Sequence, residues 1–315
     1  MNSPPIKTQI ALVQKRILAE PGFLDPPSIL AAYRTLGFLV EPEPTAATVT
    51  ESLLEAMRSG QPYSVIRIGD SEAAMLAHGD NPSLASLEHF AVSRSVAIHS
   101  TLTDVDTATA MMLGDWMHRS IEAANVVGVL GLWRPVGTDS HTFAARMEKD
   151  PRGMLGQWYG AIKPLEMATK GLLDGKLIAS AHLYFGIITR IQVLLRAAKS
   201  VLLITSHEGL AARMLRLNPQ IHIHTIVANK PSAENVASPS RFLEEVRDQL
   251  PPRLTGTLCL VGSGPWAEIY CTWVKERGGI AVDVGSGMDL LMGRVTRPVH
   301  RRIEAAMEGR FEIRA

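Results

Sequence analysis

Cysteine is scarce in this sequence: its 315 residues include Cys259 in an apolar strand-like run, Cys271 in a helix-like stretch, and no other. Two thiols in such settings exclude a disulfide framework. Long apolar runs are also missing. No stretch approaches the ~18 uninterrupted apolar residues of a membrane-spanning helix, and the N-terminus, MNSPPIKTQI, has no basic region followed by an apolar core. A surplus of one charge is absent too, with 32 Lys and Arg against 31 Asp and Glu, so no global field points to nucleic acid or an anionic membrane as partner. These absences lead to the expectation of a cytoplasmic protein without a transmembrane segment. Peripheral contact with a membrane-bound acceptor and homo-oligomerisation both remain compatible with them. With 46% hydrophobic and 20% charged residues, the chain has the composition of a packed globular protein. The one local imbalance is at the end, where Arg294, Arg297, His300, Arg301, Arg302, Arg310 and Arg314 face only Glu304, Glu308 and Glu312, which reads as a solvated basic helix or tail.

Along the chain, Pro21, Pro26, Pro27, Pro42 and Pro44 break the first 45 residues into short helix candidates. A helix from about Thr45 to Ser59 then leads through Gly60 to a strand at Tyr63 to Ile68. Further strand-like runs follow at Asn125 to Leu130, Lys176 to Ala179, Ser200 to Thr205, Ile221 to Val227, Thr257 to Val261 and Gly279 to Val284. Helical segments alternate with them, among them Asp104 to Ala124, Glu208 to Leu217, Pro239 to Leu250 and Trp266 to Arg277. The alternation predicts a Rossmann-like α/β fold: a mainly parallel sheet with helices on both faces and an N-terminal helical arm. The expected division is an arm at 1–60, a catalytic domain at 61–298 and a basic tail at 299–315. In such sheets ligands bind outside the carboxyl ends of the strands, so the polar residues just after each strand are the candidates.

Five strand ends stand out. In SVIRIGDSEAAML the strand ends at Ile68, turns at Gly69 and delivers Asp70 and Glu72, two carboxylates that a divalent cation such as Mn2+ or Mg2+ would reconcile. A helix cap by Asp70 or Ser71, with Glu72 against the helix dipole, is the plainer reading of the same residues. Arg67 in the strand is suited to a carboxylate or a phosphate. In VLLITSHEGL, Ser206 and His207 precede a helix whose free N–H groups suit a phosphate. In IVANKPSAEN, the polar Asn229, Lys230 and Asn235 read as a solvated loop. In LCLVGSGPWAEIY, Gly262, Ser263 and Gly264 form a partial glycine fingerprint that lacks its last glycine. The closing GGIAVDVGSGMDLLMGRVTRP carries Asp283, Gly285, Ser286 and Asp289, followed by Arg294 and Arg297.

From about Pro62 to Pro298 these segments together resemble the glycosyltransferases of the GT-D fold. The Asp-x-Glu pair after Ile-Arg-Ile-Gly is the strongest element of the likeness, and the closing Asp-x-Gly-Ser with a nearby Asp is the second. The resemblance implies a sugar transfer from a nucleoside-diphosphate-sugar donor of the UDP-sugar type to a glycan or lipid-linked acceptor. It casts Asp70 and Glu72 as donor and metal residues, and the loop around Ser286 and Asp289 as part of the donor pocket. Several members have a His directly after the closing Asp-x-Gly, where this chain has Ser286. Such a reaction needs positive charge on the leaving diphosphate, from the metal, Arg67 or Arg294, and a base for the acceptor hydroxyl, for which Glu72, Asp289 and His182 are candidates. Trp133 suits either stacking on a sugar or a place in the core. Two other readings stay open: an S-adenosylmethionine methyltransferase using VDVGSGMD, although that run lies after the last strand, and a non-catalytic nucleotide-sugar-binding protein.

Overall fold

The structure, a computed structural model, describes residues 4–19, 31–32, 34–38, 42–99, 105–130, 140–228, 239–297 and 300–301. The first half of the chain contributes α1 (Ile6–Ala19), α2 (Pro42–Ser59), β1 (Tyr63–Ile68), α3 (Asp70–Leu76), α4 (Ala85–His99), α5 (Thr107–Ala123), β2 (Val126–Val129), α6 (Ser140–Lys149) and α7 (Pro151–Thr169). The second half adds β3 (Leu177–Ser180), α8 (Tyr184–Ile188), α9 (Ile191–Ala197), β4 (Ser200–Thr205), α10 (Leu210–Leu217), β5 (His222–Val227), α11 (Pro239–Gln249), β6 (Thr257–Gly262), α12 (Ala267–Glu276), β7 (Ile280–Asp283) and α13 (Gly287–Leu291). All seven strands join one sheet, in the order β3-β2-β1-β7-β6-β4-β5, and every pairing is parallel.

The strands form where the sequence has short β-branched runs between turn residues, and their central positions are buried on both faces, as a helix-covered parallel sheet requires. Ile66, Ile68, Val127, Val129, Ile204 and Val261 pack on one side with α3, α4, α5, α7 and α12. Val65, Val201, Leu203, Leu258, Leu260 and Val282 pack on the other with α2, α8, α9 and α10. Each fully buried aliphatic side chain contributes about 1.5–3 kcal/mol, so the two faces together hold the sheet between its helices. The edge strand β5 alone is largely exposed.

The expected α/β architecture and all seven strands are present, each within a residue or two of its predicted span. One expectation about the first sixty residues changes. Pro42 and Pro44 lie in the first turn of α2, where a missing N–H leaves no bond unmade, so they start a helix and do not break one. The helices of the N-terminal arm pack on the rest: Val49 and Leu53 of α2 are fully buried beneath α8 and α9, and α1 packs on α4 and α6.

The strand order fixes where a site belongs. From β1 the chain steps outward to β2 and β3, then crosses to the other half and returns through β6 to lay β7 beside β1. The order therefore reverses between β1 and β7, and the place where such sheets form a ligand crevice is beyond their carboxyl ends, at Gly69–Asp70 and Asp283–Gly285.

Candidate functional site

At the end of β1 the backbone leaves Ile68 through Gly69, which is the extended N-cap of α3 and offers no side-chain cap. Asp70 is thus the first helical residue and does not cap the helix. Its Oδ1 accepts from the Ser71 N–H at 3.0 Å, and its Oδ2 accepts from Arg152 Nη1 at 3.0 Å. Arg152 arrives from the first turn of α7, which is capped by Asp150 accepting from the Gly153 N–H. The approach of α7 depends on Gly156: a Cβ there would stand 2.1 Å from the Asp70 carbonyl oxygen.

Glu72 folds back over the strand end, so that a Cβ on Gly69 would meet its Oε2 at 2.6 Å. Burial, and after it the charge of Asp70, pushes the Glu72 carboxyl up to about 7. The second acid of the motif is therefore poised to gain or lose a proton near neutrality.

Across the crevice Asp283 ends β7 with no exposure and accepts from Arg67 Nε at 2.7 Å and Nη2 at 3.2 Å. The Gly285 N–H donates to the same carboxylate at 2.8 Å. Burial, the largest single influence, would lower the pKa of Arg67, but Asp283, Tyr184 and Glu268 together outweigh it and the net direction is upward. The guanidinium also lies over the Tyr184 ring, 4.6 Å from its centroid. Gly285 is required twice, by its φ of +44° and because a Cβ would sit 2.1 Å from Arg67 Nη2. This ion pair ties the Asp-x-Glu strand end to the closing glycine turn, which are more than 200 residues apart in sequence.

A fourth carboxyl belongs to the same cluster. Glu268, in the first turn of α12, is 1% exposed, and neither of its side-chain oxygens has a hydrogen-bond partner. Burial first, then the charges of Glu72 and Asp283, drive its pKa well above the ordinary range, which keeps it neutral.

The remaining candidates gather at the ends of β4, β6 and β7. Ser206 is exposed, while His207 Nε2 meets Asp289 Oδ1 at 2.9 Å, with side-chain exposures of 18% and 21%. Thr296 Oγ1 donates to the other Asp289 oxygen. Ser286 Oγ lies 3.0 Å from both the Tyr184 hydroxyl and His300 Nε2, and His300 Nδ1 accepts from the Thr296 N–H at 3.2 Å. Hydrogen bonds therefore run from Tyr184, beneath Arg67, through Ser286, His300, Thr296 and Asp289 to His207.

The glycine turns differ from expectation. The space beside Gly262 is filled by Met288, whose Cγ a Cβ would meet at 2.3 Å, and that beside Gly264 by His99 at 2.5 Å. Ser263 Oγ donates to the Ile204 carbonyl at 3.3 Å. These contacts are close protein packing on the side where a side chain would stand. Arg294 is exposed. His182 stacks on Tyr184 and Phe185, and burial, helped by Arg67, lowers its pKa to about 3. It is too weak an acceptor for the base role considered for it. Trp133, Asn229, Lys230 and Asn235 lie outside the described residues.

Sequence reasoning missed Arg152 and Glu268. Both come from helices whose approach to the sheet is a tertiary fact. A trace of Glu268 was present nonetheless, since it is the one acid within an otherwise apolar turn of α12 that is buried from Ala267 to Val274.

Comparison with known proteins bears on this region. Residues 44–150 match the family model GT-D-like, described as a GT-D fold-like domain. A search among curated proteins finds no match. A solved structure, the selenomethionine-substituted structure of domain of unknown function 1792, superposes with a TM-score of 0.41 at 14% identity over 77% of this chain and 80% of that one, too loosely to carry detail. The segment that is similar to the GT-D fold-like domains contains β1, Asp70 and Glu72.

Proposed function

We propose that the protein is a glycosyltransferase that binds a nucleoside-diphosphate sugar in the crevice between the ends of β1 and β7. One observation carries this reading: the Arg67–Asp283 pair joins the Asp-x-Glu strand end to the closing glycine turn at the point where strand order reverses. A UDP-type donor and a glycan or lipid-linked acceptor are the substrates the reading expects, in the assembly of a surface polysaccharide or glycoprotein glycan.

The chemistry follows from the charges. When the bond from the sugar to the diphosphate breaks, negative charge grows on the β-phosphate, and fixed donors must meet it. Arg152 has donors to spare, because only its Nη1 is engaged among the described residues, and it stands beside Asp70 at 21% exposure. Arg67 supplies a second, rigidly held guanidinium. Remote contacts to the nucleotide would hold the anomeric carbon in line for attack.

A divalent cation fits as a partner shared with the ligand. Among the described residues no three His, Cys, Asp or Glu side chains converge to hold a metal by themselves. Yet Asp70 and Glu72 lie close together at one strand end, and the charge of Asp70 adds to burial in holding the Glu72 carboxyl protonated, so a cation between them would favour its ionised, ligating form. Mg2+ or Mn2+ commonly takes one or two carboxylates and completes its shell with phosphate and water oxygens. Asp70 and Glu72 are the residues that would hold it, and the bound ion would supply positive charge at the leaving diphosphate.

Two other readings find less support. The VDVGSGMD run follows the last strand of the sheet, and a Cβ at Gly285 or Gly287 would meet Arg67 or Tyr184 and Ile188, so these glycines serve protein packing, which gives the methyltransferase reading no support. A protein that only binds nucleotide sugars would keep the crevice but show no donor turnover. The test is thermal unfolding with a panel of nucleoside diphosphates, with and without Mn2+ or Mg2+. At a hundred times Kd, binding stabilises by about 2.7 kcal/mol, a readily measured shift. Asp70→Ala with Glu72→Ala should abolish it, and the absence of a shift with every nucleoside diphosphate would refute the proposal.

A further inference from the structure

His207 and Asp289 lie 82 residues apart, after β4 and within α13, yet their side chains meet at 2.9 Å. The Asp289 carboxylate can only accept, so His207 Nε2 carries the hydrogen, and in the neutral imidazole the lone pair is on Nδ1. The other Asp289 oxygen is held by the Thr296 hydroxyl, so both carboxylate oxygens are engaged and Asp289 is in no position to act as a base itself. It orients the imidazole, as the acid does in any nucleophile–base–acid array. The surrounding groups are consistent with this arrangement. Glu208 is next in the chain and exposed, Arg213 of α10 packs against Gly293, and His300 bonds to Ser286 and to Thr296.

Hydrogen bonds link this pair to the end of β1, and two further facts concern which histidine can accept a proton. The hydrogen-bond chain through Thr296, His300, Ser286 and Tyr184 ends under Arg67 in the crevice. His207 is partly exposed at 18%, and among the described residues no hydrogen bond engages its Nδ1. The other histidine considered as a base, His182, is buried with its pKa lowered to about 3.

We propose that His207 is the catalytic base that receives the acceptor's proton, with Asp289 as its positioning residue. The proposal rests on the glycosyltransferase reading and names the group that reading lacks. In the step it serves, the acceptor oxygen bonds to the anomeric carbon as that carbon's bond to the diphosphate breaks. The bonding pair leaves on the β-phosphate oxygen, and the acceptor hydroxyl proton passes to His207 Nδ1.

Three measurements on the full chain test it, with UDP as the binding probe and UDP-glucose, UDP-galactose and UDP-N-acetylglucosamine as donor probes, water serving as acceptor. First, ¹⁵N NMR of the histidine rings should show His207 as the Nε2–H tautomer, and Asp289→Asn should change that state; an Nδ1–H tautomer in the wild type overturns the assignment. Second, His207→Ala should lower kcat for donor hydrolysis by about 10²–10⁴-fold, the range of general base catalysis, with the Kd for UDP unchanged within threefold. Third, added imidazole should restore part of that loss, and Asp289→Asn should lower kcat with little change in KM. Turnover by His207→Ala within threefold of wild type, or a loss that imidazole does not restore, overturns the dyad alone. Failure of the wild type to bind any nucleoside diphosphate overturns the glycosyltransferase reading on which the dyad rests.

Discussion

The Arg67–Asp283 pair can be tested by breaking it from either side. Asp283 is fully buried and Arg67 is 20% exposed, so removing one partner strands the other charge in a poorly solvated place. Arg67→Met leaves the Asp283 carboxylate with the Gly285 N–H, and Asp283→Leu leaves the guanidinium with the Tyr184 ring and the Glu72 and Glu268 carboxyls, which burial holds toward their neutral forms. Each single change should cost about 3–5 kcal/mol, the usual penalty for an uncompensated buried charge. Were the two effects independent, the double variant would lose about 6–10 kcal/mol, enough to unfold most domains. Because one interaction is removed in both cases, the double variant should instead fall within about 1–2 kcal/mol of either single variant. Urea unfolding of the four proteins, analysed as a double-mutant cycle, measures the difference. Additivity within about 0.5 kcal/mol would show that the two side chains do not meet, and would remove the link between the two halves of the crevice.

Other outcomes follow from the same cluster. Glu72 titrates at about 7 in the folded protein against an ordinary value of 4.5, so its neutral form favours folding; that stability is complete below about 4.5 and is lost as pH rises to about 7. In the absence of added metal, Glu72→Gln should flatten the fall in stability across this window, roughly 2–3 kcal/mol in wild type, and an unchanged pH profile would contradict the burial of Glu72. Glu268→Gln replaces a carboxyl held neutral by an amide of the same shape, so its cost at pH 7 should be under about 1.5 kcal/mol by urea unfolding; a loss above about 3 kcal/mol would mean that Glu268 is ionised and paired. Gly156→Ala should displace α7 from the Asp70 carbonyl, costing about 1–3 kcal/mol and weakening UDP binding by withdrawing Arg152; isothermal titration showing unchanged affinity would separate Arg152 from the ligand.

How much of this was legible in the sequence depends on how local each cause is. The strands could be read because a helix-covered parallel strand is a short apolar run, and runs such as VVGV and IAVD have turn residues on both sides. Asp70 and Glu72 could be read because they follow such a run directly. Arg152 and Glu268 could not, since nothing in PRGML or WAEIY states which way its helix faces. The glycines were legible in part for a related reason. Gly262, Gly264 and Gly285 do mark close approaches, but sequence does not say that Met288, His99 and Arg67 make them. The pairing of His207 with Asp289 joins loops after different strands, and only the order of the sheet brings them together. Pro42 and Pro44 misled for a positional reason, because a proline that breaks a helix interior is well placed in a first turn.

The most direct measurement is hydrogen–deuterium exchange by mass spectrometry with and without UDP. If one ligand lies between the acid pair and the last glycine turn, exchange should slow together in peptides covering 69–73 and 284–290. Slowing in only one of these segments, or in neither while UDP binds elsewhere, would contradict a shared crevice.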